Sequence, residues 1–384
     1  MKKTFRVIGV IMAFLIAAAI VRHIVIMGKK EDGQTDSYEQ RLKKNEDQIN
    51  ERLLASCSVV GSVIYHLDYS SDGKYVALSA SDLEIRNGKD LSLIKSWEQG
   101  GIGPVAFHPN NQILAHSGKG NDVHDGQVEI RTVPDGELIK TLYTDTDKED
   151  WDGPKNYVGY DAVLEQIKFS PDGQYLLTRT RGEWKVMVWE TKTWELQYAL
   201  RKDEERTQVE WAEFSPDSQS VYVSLELPFY DKDGRPVPVD QQAGWFIQYR
   251  LSDGQKVREL RDPSLLGCYR FYFSSRDKKI ILEGVKKRNE QNGRMLLLAI
   301  FTLTPPQELI WLPRLPDADH GLDVFFPSYA AGSSSGSFSI WDINEQKYLY
   351  GVELHRRIKG IKFSSDGKKI AVSSGGSCYL FRVP

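Results

Sequence analysis

The side chains best suited to binding a metal ion lie in one acidic segment. Carboxylate oxygens are the ligands that Ca²⁺ prefers, and five carboxylates occur close together, at Asp145, Asp147, Glu149, Asp150 and Asp152. Their spacing differs from that of an EF-hand loop. A solvated acidic loop accounts for the run, so we predict no metal site in it.

The sequence also gives no support for a histidine metal site or for a catalytic nucleophile. His116 and His124 are accompanied by Asp122 and Asp125, but histidines placed so far apart across a loop do not form a recognised ligand pattern. No nucleophile elbow between a strand and a helix, no P-loop and no dinucleotide-binding fingerprint accompanies them. We therefore predict no metal, no catalytic residue and no cofactor, and a protein that is not an enzyme.

The overall composition excludes one class of partner and favours one class of fold. The net charge is −3 and the pI is about 6.2, whereas nucleic-acid-binding proteins normally carry a basic patch or stripe. We expect no nucleic-acid partner. The 18 Tyr, 15 Phe, 9 Trp and 31 Gly favour many short strands joined by tight turns.

A repeated unit organises the chain from residue 60 onward. Each copy has an apolar strand that ends in an aromatic residue, then a small polar turn and a second strand. The four clearest copies are LDYSSDGKYVALS (67–79), IKFSPDGQYLLTR (167–179), AEFSPDSQSVYVS (212–224) and IKFSSDGKKIAVS (361–373). Three weaker copies lie at 105–117, 271–283 and 323–333.

Two further strands follow each copy. Examples are VEIRTVPDGELIKTL (128–142), VMVWETKTWELQYAL (186–200), FIQYRLSDGQKVREL (246–260) and FSIWDINEQKYLYGV (338–352). Units of four strands, repeated seven times, are typical of propeller blades. The fold class is therefore all-β, a β-propeller of about seven four-stranded blades over residues 53–384, in which Phe169, Phe214 and Phe363 pack between neighbouring blades.

The turn motif has a direct physical basis and carries a family resemblance. In one copy Pro171 presets φ, Asp172 can bond its own backbone and Gly173 can adopt positive φ. These turns, with the strand ends Trp189-Glu190 and Trp341-Asp342, resemble WD40 repeats. The Gly-His pair of that family is missing, so its His-Asp networks are not expected. Six-bladed TolB-like propellers use similar turns, which leaves the blade number open.

The last blade has only three strands of its own. We expect residues near 53 to 60 to supply its fourth strand and so close the ring, which removes an exposed sheet edge. Alignment of the blades places Cys57 on that borrowed strand, near the position of Lys95, and Cys378 on the neighbouring strand. A disulfide between Cys57 and Cys378 is one alternative and two buried thiols are the other, while Cys268 is interpreted as a core thiol.

Long insertions predict where a partner binds. In a propeller the connections between second and third strands share a face with those between blades, and the insertions at 118–127, 143–163, 225–244, 285–294 and 312–322 all belong to this set. Long loops on a rigid scaffold commonly carry binding function, and aromatic anchors often dominate interfaces. The aromatic candidates for partner contact are Trp151, Tyr157, Tyr160, Phe229, Tyr230 and Trp245.

An apolar run near the amino terminus predicts that the protein is attached to a membrane. Residues 7–27 form an apolar run long enough to span a bilayer as a helix, so residues 1–27 are interpreted as a transmembrane anchor, with a cleaved signal peptide as the alternative. Residues 28–52 are expected to form a polar linker with a short helical stalk. Basic residues nearly balance across the apolar run; an export-like start favours an extracytoplasmic propeller, periplasmic or at the cell surface, with the cytoplasmic side as the alternative.

Two functions remain open from the sequence. The first is a membrane-tethered, non-enzymatic platform or scaffold that holds a protein or peptide on the face with the insertions. The alternative is a quinoprotein-like propeller enzyme, or a cofactor or small-molecule binder, acting at the central channel. The second function requires a cluster of His, Asp, Glu or Arg at one end of that channel.

Overall fold

The structure, a computed structural model, describes most of the chain beyond the amino terminus. The described residues are 38–59, 63–98, 103–118, 126–144, 164–180, 185–201, 208–226, 244–262, 265–273, 279–288, 293–303, 309–311, 321–325, 328–333, 336–345, 347–354 and 356–384. The chain divides into two units, Met1–Glu46 and Asp47–Pro384. The second unit contains all the strands that the structure describes.

A single helix occurs in the described part, α1 (Tyr38–Arg52). It corresponds to the second half of the predicted stalk, and its sequence is strongly polar. No helix among the described residues is long and apolar enough to cross a membrane. The predicted anchor at 1–27 lies outside those residues.

The strands of the described residues form seven sheets of four antiparallel strands each. Blade 1 comprises β2 (His66–Tyr69), β3 (Tyr75–Ser79), β4 (Asp82–Asn87) and β5 (Leu93–Glu98). Blade 2 comprises β6 (Val105–Phe107), β7 (Ile113–Ser117), β8 (Gln127–Thr132) and β9 (Leu138–Tyr143). Blade 3 comprises β10 (Leu164–Phe169), β11 (Tyr175–Thr180), β12 (Lys185–Glu190) and β13 (Glu195–Arg201).

The next three blades follow the same plan. Blade 4 comprises β14 (Gln208–Phe214), β15 (Ser220–Glu226), β16 (Gly244–Arg250) and β17 (Lys256–Asp262). Blade 5 comprises β18 (Leu265–Phe273), β19 (Lys279–Arg288), β20 (Gly293–Thr302) and β21 (Leu309–Trp311). Blade 6 comprises β22 (Gly321–Phe325), β23 (Tyr329–Ser333), β24 (Ser337–Asp342) and β25 (Lys347–Glu353).

Blade 7 joins the two ends of the propeller. It comprises β26 (Ile358–Phe363), β27 (Lys369–Ser374), β28 (Ser377–Arg382) and, as its outermost strand, β1 (Leu53–Ser58). The predicted closure by a strand borrowed from the start of the propeller is therefore confirmed. Leu53 and Ile49 pack against the core of blades 6 and 7, so the end of α1 is attached to the same closure.

Contacts between the innermost strands show that the blades form a closed ring. The strands in contact are β2 with β6, β6 with β10, β10 with β14, β14 with β18, β18 with β22, β22 with β26 and β26 with β2. The fold is a seven-bladed β-propeller, as the sequence predicts.

The turn motif forms as its residue types dictate. In blade 3 the hydroxyl of Ser170 donates to Asp172 Oδ1 at 2.6 Å and accepts from the backbone N–H of Tyr175 at 2.9 Å, and Gly173 has φ of 73°. The aromatic residue before the turn packs between blades: Phe169 meets the His108 ring of blade 2 edge-on, with ring centroids 4.9 Å apart. Each turn therefore fixes a blade and its contact with the preceding blade.

Candidate functional site

The two faces of the propeller differ in the length of their connections. The face that carries the connections between second and third strands, and between blades, is called here the long-connection face. On it the chain runs from Tyr143 to Leu164 and from Glu226 to Gly244 between consecutive strands. On the opposite face Phe169 is joined to Tyr175 and Glu190 to Glu195. The strand bounds thus reproduce the one-sided distribution of insertions.

One predicted insertion is a strand extension instead of a loop. Residues 285–294 were expected to form a long connection, but β19 and β20 continue as a paired hairpin as far as Arg288 and Gly293. Their backbone groups satisfy each other across the ladder, which is how a long excursion avoids unpaired N–H and C=O groups. In blade 5, the described part of this connection is therefore a pair of extended strands on the long-connection face.

The aromatic residues predicted to contact a partner are described only in part. Trp151, Tyr157, Tyr160, Phe229 and Tyr230 lie outside the described residues. Trp245 does not lie in an insertion: it is the second residue of β16, paired with Leu225 on one side and Arg261 on the other. Strand pairing begins earlier than the repeat pattern indicates.

A cavity of about 360 Å³ occupies the centre of the ring. All seven innermost strands contribute to its wall. Six of the seven innermost strands place a polar residue at one level of this wall, usually the residue directly before the aromatic. We name these six residues the polar ring: Asp68, Lys168, Glu213, Tyr272, Asp323 and Lys362. Blade 2 has Ala106 at this position.

One half of the polar ring is held by Lys362. Its Nζ lies 3.6 Å from Asp323 Oδ1 and 3.8 Å from Asp68 Oδ1. Each carboxylate also accepts a hydrogen bond from the backbone N–H of the aromatic residue in the next blade. Phe363 N donates to Asp323 at 2.7 Å, and Phe107 N donates to Asp68 at 2.9 Å. Proximity of the Asp323 carboxylate raises the pKa of Lys362, whereas burial raises the pKa of Asp68 despite the nearby ammonium group.

The other half of the polar ring combines charge and aromatic faces. Lys168 forms an ion pair with Glu213 of the next blade. The same ammonium lies 4.8 Å from the Trp211 ring centroid and 5.4 Å from that of Tyr272, within cation–π range. Burial raises the pKa of Tyr272, so its hydroxyl stays protonated near neutral pH.

Above this ring, toward the long-connection face, lies a second group of residues, named here the channel mouth: Tyr65, His66, Glu165, Trp211, Arg270 and Lys359. These residues lie in or just before the innermost strands, which start at that face. The β10 ladder shifts between Leu164 and Gln166, and the β26 ladder between Ile358 and Gly360. Such bulges commonly re-aim side chains near sites, and here the extra residues, Glu165 and Lys359, line the cavity.

Charge at the channel mouth is unevenly paired. Glu165 forms an ion pair with Arg179 at 2.9 Å. Arg270 lies 5.5 Å from the Trp211 ring centroid and Lys359 lies 5.4 Å from that of Tyr65. Burial, reinforced by Arg270, lowers the pKa of His66 to about 4, so its imidazole is neutral near pH 7.

None of the polar-ring residues was predicted as a site residue from the sequence, although the repeat copies contain a pattern that could have indicated them. The copies L-D-Y, I-K-F, A-E-F and the last I-K-F all place a charged residue directly before the aromatic that precedes the turn. A charge at that position of an inner strand is costly unless it is paired. Recurrence of such charges in several blades could have indicated a polar channel.

The predicted cysteine pair has close geometry. Cys57 of β1 lies directly opposite Cys378 of β28 in the strand register, at the blade position of Trp97 instead of Lys95. Both are free thiols in the structure. A hydrogen bond from Cys378 lowers the pKa of the Cys57 thiol, and the same contact together with burial raises that of Cys378.

Within the described parts of the chain, no group of three or more His, Cys, Asp or Glu side chains is arranged to hold a metal ion. His116 is buried in blade 2. The acidic run at 145–152 and the segment with Asp122, His124 and Asp125 lie outside the described residues.

Comparison with known proteins supports the fold and gives little about function. No protein-family model matches the chain. A stretch of 132 residues, 33% of the chain, is 24% identical to an uncharacterized WD repeat-containing protein of Synechocystis sp., and covers 32% of that relative. The chain thus matches about a third of the curated relative's length.

A solved structure shares the architecture. A chain of the hydrazine synthase of Kuenenia stuttgartiensis superposes with a TM-score of 0.64 at 13% identity, and the match covers 85% of this chain and 97% of that one. Such low identity shows the fold alone. With the seven blades and the WD-repeat similarity, the chain is a WD40-like β-propeller.

Proposed function

We propose that this protein is a non-enzymatic binding platform that captures a protein or peptide partner on its long-connection face. The observation that carries the proposal is the one-sided distribution of the longest connections, at 144–163, 227–243, 118–126 and 312–320. Long loops on a rigid frame are the usual location of recognition. The similarity to a WD repeat-containing protein agrees with this role.

The frame beneath that face is suited to holding such loops. Neighbouring blades are joined by buried bonds, such as Gln166 Nε2 donating to Ala212 O at 2.6 Å while Ala212 N donates back to Gln166 Oε1 at 3.2 Å. Because both bonds are buried, they resist exchange with water. The blades therefore present their connections from a stiff base.

Site-specific photo-crosslinking in intact cells tests this proposal. A photoreactive phenylalanine analogue would replace Trp151 or Phe229 on the long-connection face, or Thr193 in a short turn on the opposite face as the matched control. We expect one defined protein to crosslink through Trp151 or Phe229 and not through Thr193.

A deletion series separates capture from folding. Replacement of 145–163 or 227–243 by a short Gly-Ser link should abolish the product crosslinked from the probe in the remaining segment. The melting temperature of the propeller should be kept, because the flanking strands remain paired. Equal crosslinking from Thr193, or full capture after both deletions, would contradict the assignment of this face.

We further propose that residues 1–27 tether the propeller to a membrane, on its extracytoplasmic side. The support is the apolar run 7–27, which is long enough to span a bilayer. Carbonate washing of membranes should leave the full chain in the pellet, and external protease should digest the propeller in intact spheroplasts. Release by carbonate would contradict the anchor, and protection from protease would contradict the orientation.

A further inference from the structure

The charges of the central channel divide into a paired layer and a layer with unpaired cations. In the polar ring, Lys362 is shared by Asp68 and Asp323, and Lys168 is paired with Glu213. These charges also bridge neighbouring blades, so they hold the ring together and have little capacity left for a ligand.

The channel mouth has more positively charged than negatively charged side chains. Its carboxylate, Glu165, is already bound by Arg179. Arg270 and Lys359 have no ion-pair partner among the residues that the structure describes. Each instead lies near an aromatic ring, Trp211 or Tyr65. Cations partly removed from bulk water attract an anion more strongly than cations on an open surface do.

The charges around the cavity indicate the charge of an anion that would fit there. The described channel contains four carboxylates (Asp68, Glu165, Glu213, Asp323), four cations in its wall (Lys168, Arg270, Lys359, Lys362) and Arg179 bound to Glu165. Positive charge is therefore in excess at the mouth, and Arg357, whose charge acts on Lys359, adds to it. A monoanion can bind this excess without bringing a second negative charge close to the carboxylates of the polar ring, as a phosphate dianion would.

The shape and lining of the cavity indicate what carries that charge. A volume of about 360 Å³ is at the small end of ligand pockets. Trp211 and Tyr65 line the cavity next to Arg270 and Lys359, and aromatic side chains favour contact with a flat apolar group. We propose that the channel mouth binds a small monocarboxylate with a planar ring, its carboxylate held between Arg270 and Lys359.

His66 reports on occupancy of this site. Its ring is influenced by the charges of Arg270, Glu165 and Lys359. The carboxylate of a bound ligand would partly cancel the charges of Arg270 and Lys359, which add to the effect of burial in lowering the pKa of His66. Occupancy should therefore raise the pKa of His66, which is an observable independent of any activity.

Benzoate is the simplest probe of the proposal, and benzyl alcohol provides the same ring without the charge. Calorimetric titration of the full chain should show saturable benzoate binding and none of benzyl alcohol. Arg270→Gln and Lys359→Gln should each weaken benzoate binding at least tenfold. Lys140→Gln, at an exposed position of the outer strand β9, is the matched control and should leave it unchanged.

Two further readouts decide between the possible sources of the carboxylate. Histidine NMR should show the pKa of His66 rising from about 4 when benzoate is added. An acidic peptide that binds with the same dependence on Arg270, while benzoate does not bind, would overturn the small-molecule proposal and identify a side chain of a protein partner as the carboxylate donor. Failure of both probes to bind, or binding unaffected by either substitution, would overturn the proposal.

Ligand binding at the channel mouth can be tested separately from partner capture on the long-connection face. Variants lacking 145–163 or 227–243 should keep benzoate binding, because the mouth residues lie in or next to the innermost strands. Loss of partner capture with retained benzoate binding would support both proposals.

Discussion

At the scale of single residues, equivalent turn glycines have different neighbours. Gly73 and Gly173 occupy the same place in the motif and have φ of 68° and 73°. An added Cβ at Gly73 would meet nothing closer than Ser365 Oγ at 3.9 Å, whereas at Gly173 it would lie 2.5 Å from His108 Nε2. Both positions therefore require a residue that tolerates positive φ, but only at Gly173 does a neighbouring side chain leave no room for a Cβ atom.

Substitution by alanine should separate these two requirements. Gly73→Ala should destabilise the protein by about 1 kcal/mol, since a non-glycine residue in the left-handed region costs about that much. Gly173→Ala should cost about 1–3 kcal/mol more, because the His108 ring must move. Chemical denaturation of both variants measures the difference. Equal losses would show that the His108 ring adapts freely.

A second prediction concerns His116, which is fully buried. Its Nδ1 lies 2.6 Å from Ser117 O, and its Nε2 accepts from Arg131 Nε at 3.2 Å. This pattern requires a neutral ring, and burial lowers the pKa of His116 to about 4 although Glu129 acts in the opposite direction. The unfolded chain, with an ordinary histidine pKa near 6.5, therefore binds more protons between those two values.

Stability should consequently fall as the pH is lowered from about 6.5 toward 4, with His116 contributing up to about 1.4 kcal/mol per pH unit. Melting temperatures at several pH values measure the slope. His116→Gln should flatten it relative to wild type, while the share due to His66 remains. An unchanged slope would mean that His116 does not titrate on unfolding.

At the scale of elements, the pairing of β1 with β28 is the point at which the ring closes. The two strands come from opposite ends of the propeller, and their register places Cys57 against Cys378 and Ser58 against Ser377. The two serine hydroxyls lie 3.1 Å apart. This single ladder completes blade 7.

Oxidation should convert the paired thiols to a disulfide that stabilises the closure. With oxidised glutathione as the electron acceptor, the two thiols lose two hydrogens and form one S–S bond. The protein should gain about 2–4 kcal/mol, because the crosslink joins distant parts of the chain. Intact mass and melting temperature, with and without reductant, measure it.

Cys57→Ser is the control for this bond, since it should remove both the mass change and the dependence on reductant. Cys268 should remain reduced, because it is fully buried in another blade and burial raises its thiol pKa. A mass that is unchanged after oxidation would rule out the bond.

At the scale of the whole molecule, the stability of the closed ring depends on one outer strand, β1. Without β1, one edge of β28 would lose its ladder partner. Leu53 and Ala55 would also be removed from the two core clusters that flank the closure. Exposed strand edges promote association between chains.

A chain that begins at Val59 should therefore melt at a lower temperature and aggregate, whereas a chain that begins at Tyr38 should match the full protein. Calorimetry and light scattering compare the two. Equal melting temperatures would show that blade 7 is stable with three strands and that closure by β1 adds little.

Local patterns in the sequence determined the architecture of this protein. Alternating apolar residues, the aromatic before each turn and the Ser-Pro-Asp-Gly chemistry act over a few residues, so seven blades and the borrowed strand were predictable. Even the degraded copy at 323–333 pairs as β22 with β23. These features depend on neighbours in the chain or on the repeat itself.

Only the tertiary structure decided which charges meet at the centre. Asp68, Asp323 and Lys362 come from blades 1, 6 and 7, and each is an isolated charge when read along the sequence. Ring closure brings blades 7 and 1 together, which is why Lys362 can bridge carboxylates from opposite ends of the propeller. The excess of cations at the channel mouth likewise depends on where the strands bulge, and no short-range pattern specifies that.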